Sequence, residues 1–599
     1  MDRNMIAAIA ISAAILIGWD FFVLAPQREA AKEAFEARQE QAEQVAKDAG
    51  VASPDTIGIV GAAAEMSIDE ALAKAPGRVE IRTPSLQGSI NLAGGRLDDL
   101  LLKNYHEELS DESPMIRLLT PAAIEHGHYM EQGWVIAVGA ASQMTQSLEW
   151  TAPQGAVLTP QTPLTLTARS GGLVFEKTFS VDDMFMFEVT QTVRNEGDAP
   201  ATLTPYGLVD QRSIPDGAGK YMILHEGPIA VVGDSLYERK YKKAVKTIDE
   251  ANGEKGWVGI TNKYWLAAAI PPQDEDFKMS MRNIGTETEP VFRVTYTLGQ
   301  RVLEPGSTLT LQSHLYGGSK DVDILQSYEK SVAEGGLGVW DFDKAIDWGN
   351  LFFLTRPIFY TLNFFGDHLG NFGLSILLLT LIIKALLFPL ANKSYESMAK
   401  MKKLQPELEK LKERYPDDKM KLQQEMMALY QKEKLNPLAG CLPILFQMPI
   451  FYALYKTLFV TIELRHEPFV LWIKDLSAPD PTTVFNLFGL LPYDPTALPV
   501  IGAFLGIGVL PLLMGVAMWF QTKLNPPATD PIQQQVMTLM PIMFTFLFAS
   551  FASGLVLYWF WNTVLSILQQ WLIIKRNGGS VDWGTNLPFL KSKSQPGST

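Results

Sequence analysis

Cysteine is all but missing: the 599 residues include one, Cys441, in an apolar segment, which excludes a disulfide framework and a cysteine-based metal centre. Enzyme signatures are missing too. There is no GxxxxGK[ST] phosphate loop, and His466-Glu467 runs straight into Pro468 instead of continuing as a zinc-binding HExxH helix. His126 and His128 flank a glycine with no third ligand close in sequence, and read as an exposed loop pair. No catalytic site, metal or cofactor is therefore expected. Positive charge is scarce in the first 355 residues, where 30 Lys and Arg face 49 Asp and Glu (near −19), whereas the remainder carries 21 against 16 (near +5). The total of −14 excludes a general nucleic-acid binder, because phosphate binding needs concentrated positive charge.

The apolar residues that make up the chain's 47 % hydrophobic share are segregated along it. Residues 5–24 form an apolar stretch of spanning length with Trp19, Phe21 and Phe22 as an interfacial belt, so residues 1–26 are expected to be an uncleaved transmembrane anchor. Residues 27–77 are rich in Ala, Glu, Gln and Lys and then in small polar residues, and read as a spacer. From residue 78 to about 335, short alternating stretches punctuated by Gly, Pro, Asn and Asp predict an all-β sandwich domain. An interfacial helix is expected over 336–356. Long apolar runs then predict spans at 357–390, 437–462, 497–520, 532–552 and 554–574, six with the anchor. Prolines within them are tolerable where neighbouring helices re-satisfy the backbone.

Orientation follows from the basic loops. Residues 391–436 hold eleven Lys and Arg, and Lys575 and Arg576 follow the last run, so this loop and the tail 575–599 are expected in the cytoplasm, together with loop 521–531 and the N-terminus. The β domain and the loop 463–496 fall on the other side. Met401, Leu404, Leu408 and Leu411 repeat at three- and four-residue spacing, as do Leu422, Met426 and Leu429, with 415–418 as the break. That pattern predicts a helical hairpin whose Met-rich seam adapts to varied apolar segments. A hairpin that merely joins two spans is the alternative.

Lys384 lies inside the run 371–390 with no other charge for more than ten residues before it. A lysine at a bilayer centre costs about 2.5–3.5 kcal/mol on insertion scales, so it faces protein or water unless it can snorkel to the headgroups. Thr380 precedes it by one turn on the same helix face. Gln447, Asn562, Gln569 and Gln570 add polar groups in other runs, and no Asp or Glu falls inside 371–390 or inside any of the four later runs. An intramembrane cation lacking a resident carboxylate is poised for a visiting one. A solute or lipid transporter would also use such a charge, but it predicts internal repeats or a second broken helix, and the sequence has neither. A structural scaffold leaves the basic hairpin without a purpose.

These residues carry a resemblance. The stretch 389–401, Gln424-Glu425-Met426-Met427-Ala428-Leu429-Tyr430, Asn436-Pro437-Leu438, Gln447-Met448-Pro449-Ile450-Phe451 and Ser553-Gly554-Leu555-Val556-Leu557-Tyr558-Trp559 resemble the YidC membrane-protein insertases, over about 340–575. The resemblance implies an α-helical polytopic membrane protein with a five-helix insertase core and, as in the Gram-negative branch, a periplasmic β-supersandwich. It implies a hydrophilic groove in which Lys384 replaces the family's usual Arg, keeping the charge but giving up the planar fork. Thr380 matches a second groove residue, and Trp559 a position where some members place a substrate-contacting Tyr; Tyr558, Gln447 and Asn562 complete the expected groove. Met401, Leu404, Leu408, Met426 and Leu429 are the expected docking seam of the hairpin. Implied partners are nascent membrane proteins, the Sec translocon, the ribosome and membrane lipids, in a bacterial inner membrane.

Overall fold

The computed structural model describes residues 66–576, apart from 76, 139–140, 220–223, 417, 434–441, 489–490, 492, 494, 496–501 and 525–530. The expected N-terminal anchor lies outside the described residues.

Alternation of apolar and polar side chains builds the first part. The strand Leu173–Val181 buries every second residue fully, and its neighbour Met186–Asn195 pairs with it on one side and with Thr308–Ser319 on the other, all antiparallel. Such strands make an eight-stranded and a twelve-stranded sheet. The two share one apolar core, to which Phe175, Val189 and Leu315 contribute from the smaller sheet and Leu100, Trp134 and Val294 from the larger. Gly207 explains itself here: a Cβ at this position would come within 2.3 Å of the Tyr296 ring on the adjacent strand, so only glycine lets that aromatic lie across the sheet. His128 departs from the loop expected of it. It is buried in the strand His128–Val138, its Nδ1 2.8 Å from the Asp210 carbonyl, because a two-residue turn at 125–126 returns the chain into the sheet.

The helical part follows a short helix, Val322–Glu329, capped by the Asp321 side chain. The expected interfacial helix over 336–356 is instead a 3₁₀ turn at Phe342–Ala345 and a loop, and the first long helix, α1, runs Phe352–Leu369. Nor is 357–390 one helix. Gly370 adopts a left-handed φ of 62° that closes α1, and the Asn371 side chain accepts the Leu374 N–H to start α2, Phe372–Lys403. Because α2 continues past residue 391, Met401 belongs to it and not to the hairpin. The hairpin itself is α3, Gln405–Arg414, and α4, Lys419–Lys432, with Asp418 capping α4 at the expected break.

Four further long helices complete the region: α5, Leu442–Val460; α6, Val509–Leu524; α7, Pro531–Phe548; and α8, Ser553–Arg576. The span expected at 497–520 starts late. Asp480 and Thr482 accept the Leu510 and Val509 N–H groups, so α6 begins there, while Gly502–Leu505 is a separate single turn. Among the described residues, one helical stretch, Phe372–Met398, is long and apolar enough to cross a membrane; Val509–Thr522 and Gln535–Phe548 are apolar but shorter. α1, α2, α5, α6, α7 and α8 share a second core around Leu362, Ile376, Ala453, Met514, Phe548 and Leu555.

Candidate groove beside Lys384

The polar ladder on α8 sets the geometry. Tyr558, Asn562, Ser566 and Gln570 recur every four residues, so they lie along one face of α8. That face meets α2. Thr380 and Lys384 lie along the opposing side of α2, Thr380 being 1 % exposed. Lys384 Nζ donates to the Ser566 hydroxyl at 2.6 Å, and Ser566 Oγ donates in turn to the Asn562 carbonyl at 2.7 Å. The ammonium is thus held by a neutral group. Among the described residues Lys384 is in no ion pair.

Beside this contact is a cavity of about 610 Å³ between α2 and α8. Leu381, Ala385, Phe388, Leu565, Leu568, Leu572 and Ile573 give it an apolar wall; Lys384, Asn392 and Gln569 are polar points in that wall, and Lys575 and Arg576 stand at its α8 end. Its lining is more apolar than the hydrated groove expected from the sequence. Apolar walls with one deep cation suit an amphipathic guest: lipid-like side chains against leucines, and one carboxylate against the ammonium.

The other expected groove residues lie elsewhere in the same helical core. Thr380 shares the Lys384 face, but its hydroxyl donates to the Ile376 carbonyl at 2.6 Å within its own helix. Gln447 on α5 donates its side-chain amide to the Tyr558 hydroxyl, and Tyr558 is 1 % exposed, so this pair bridges α5 and α8 inside the core. Trp559 is half-buried in an aromatic cluster, edge-on to Phe451 at 4.7 Å and 5.3 Å from Phe548. Asn562 supplies its carbonyl to Ser566, as above. Of the six, Lys384 alone lines the cavity. Ser566 escaped the sequence reading, although its spacing of four from Asn562 and eight from Tyr558 marks it.

Lys456 escaped it as well. It lies in α5, in an apolar run where glutamine stood out as the polar residue, and its Nζ is 2.6 Å from Asp347, with the side chain 1 % exposed. Lys456 therefore has a resident carboxylate, whereas Lys384 has none among the described residues. In the hairpin, Leu408 is buried, whereas Met401, Leu404, Met426 and Leu429 are half-buried. A second cavity, about 360 Å³, opens between α3 and α4, with Leu411, Ala428 and Leu429 between charged residues of both signs.

Comparison with known proteins divides the chain in the same place. A family model described as the YidC periplasmic domain matches residues 78–361, and one described as the 60Kd inner membrane protein matches 364–579. The membrane protein insertase YidC of Beijerinckia indica is 47 % identical over 98 % of this chain and 98 % of its own, and that of Caulobacter vibrioides is 46 % identical over 96 % of each. A crystal structure of an active YidC insertase is 17 % identical, covering 83 % of this chain and 92 % of that one, at a TM-score of 0.36. At that score the superposition carries no argument.

Proposed function

The chain belongs to the YidC family of membrane protein insertases, and we propose that it places nascent membrane proteins into the bacterial inner membrane by way of the cavity between α2 and α8, with Lys384 as its attracting charge. Like its family it is not an enzyme; no bond is made or broken. The observation that carries the reading is the asymmetry between two lysines: Lys456 is matched by Asp347, and Lys384, among the described residues, by the Ser566 hydroxyl. A charge whose only partner is neutral keeps its electrostatic attraction for a guest.

The magnitudes fit transient capture. A carboxylate 4 Å from the ammonium gains about 4 kcal/mol at an effective dielectric near 20, against about 1 kcal/mol in bulk water. A membrane potential moves one charge with about 2.3 kcal/mol per 100 mV. The two are comparable, so the potential, inside negative, can draw an acidic tail onward from Lys384 instead of leaving it trapped. The apolar walls then release the following segment into lipid.

On this reading the membrane part comprises six spans counting the anchor, the all-β part is a periplasmic supersandwich, the hairpin α3–α4 receives emerging segments in the cytoplasm, and the protein works alone or beside the Sec translocon. Ribosome contact would rest on the hairpin more than on the tail, which after Arg576 has only Lys591 and Lys593. A photocrosslinker at position 385 or 568, both in the cavity wall, should capture a stalled nascent chain with a short N-terminal tail, while one at 558 in the core should not. Capture from 558 alone would place the path elsewhere.

A further inference from the structure

The face of the twelve-stranded sheet turned away from its core carries a separate set of charges. Along His128–Val138, Met130 and Trp134 point into the core, so Tyr129 and Glu131 point the other way. There, Arg293 makes a two-armed contact with Asp210, Nε to Oδ1 at 2.9 Å and Nη2 to Oδ2 at 2.7 Å, and the Tyr129 hydroxyl donates to the same carboxylate at 2.6 Å. Arg96 donates to Glu131 at 3.2 Å and lies 4.5 Å from the centre of the Tyr129 ring. Arg78 pairs with Asp98 and donates through Nε to Ser89, leaving its Nη1 buried and without a partner among the described residues. A buried ion pair is no bargain for stability compared with apolar packing. Such a concentration on one sheet face points to a task.

A cavity of about 570 Å³ opens onto these groups. Its wall holds five cations, Lys74, Arg78, Arg96, Arg212 and Arg293, while Asp98 in the wall and Glu131 and Asp210 behind it supply three carboxylates, a surplus of two positive charges. Exposed Glu289 also acts on Arg212. This positive site stands in the strongly acidic part of the chain. Opposite the arginines, the helix Ile68–Lys74 and the turn at 121–123 contribute apolar surface, mainly alanine. The volume is that of a small-molecule site.

We propose that this cavity binds a small organic anion, its carboxylate or phosphate held by the arginines and its compact apolar body lying against the alanine wall. Guanidinium forks match both groups through paired N–H donors, and the unpartnered Nη1 of Arg78 is a donor that such a ligand would satisfy. The site is distinct from the groove at Lys384 and does not depend on the insertase reading.

Isothermal titration of the full-length protein in detergent with phenyl phosphate, benzoate, inorganic phosphate and benzyl alcohol tests it. Phenyl phosphate or benzoate should bind at least tenfold more tightly than benzyl alcohol, and phenyl phosphate more tightly than inorganic phosphate. Arg212→Gln should weaken the anion at least tenfold, and Lys74→Glu, an exposed position that leaves the fold intact, at least fivefold. Absence of binding by either organic anion at 10 mM, or an affinity that Lys74→Glu leaves unchanged, would overturn the proposal; inorganic phosphate binding as tightly as phenyl phosphate would overturn the apolar half of it.

Discussion

Lys456 is 1 % exposed, 2.6 Å from Asp347, and Asp347 also accepts the backbone N–H of His225 at 2.8 Å. The carboxylate thus ties α5 to the β domain through two elements at once. Removing the ammonium leaves a half-buried anion, a loss of about 3–5 kcal/mol when one partner of a buried pair goes. Lys456→Met should therefore lower the thermal midpoint of the detergent-solubilised protein markedly, and Asp347→Asn in the same chain should recover most of the loss while still accepting from His225. A double variant less stable than the single would contradict this structural role. Glu463 is the second residue with a defined energetic signature. Burial first, and neighbouring Asp321 next, push its carboxyl up to about 7. The folded form then holds a proton between about 4.5 and 7 that the unfolded chain has released, so stability is fully present below 4.5 and is lost as pH rises through 7. Glu463→Gln should raise the thermal midpoint at pH 8 and change it little at pH 4.5; equal gains at both would refute the assignment. Lys384 was legible from the sequence because a lone charge in a long apolar run is costly. Ser566 and Lys456 were not, since a serine every fourth residue and a lysine near a helix end are common, and only the packing shows what each one meets.

Element boundaries follow from caps more than from hydropathy. The run 357–390 reads as one apolar stretch, yet Gly370 and Asn371 end one helix and start the next within two residues. Asp480, thirty residues away from the helix it caps, delays the start of α6, and no local pattern could have announced it. The alternation that predicts the β domain survives because it is enforced by burial on one face of each strand, and the hairpin break at 415–418 survives because Asp418 is a local cap. The hairpin is also the element whose role can be removed cleanly. Its seam leaves Met426 and Leu429 partly exposed, which suits a receiving surface. Replacing residues 405–432 with a short flexible linker should abolish insertion at normal membrane levels of the protein; retained insertion would reduce α3 and α4 to a connector.

Across the whole molecule the charge is distributed by task. The acidic β domain carries its own buried ionic face, while the helical region is basic in its hairpin and after its last helix and nearly uncharged within. Against that background Lys384 is the cation set deep in the cavity wall between α2 and α8, away from Lys575 and Arg576 at its α8 end, and on the proposed reading its strength as an attractor depends on its having no carboxylate partner among the described residues. Insertion into proteoliposomes made with the full-length protein measures this directly, using a substrate with a short acidic tail beside one whose tail is neutral. Lys384→Arg should insert both as well as the parent does, and Lys384→Ala should slow the acidic-tailed substrate at least tenfold while sparing the neutral one. Equal insertion of the acidic-tailed substrate by Lys384→Ala and the parent protein would contradict the account.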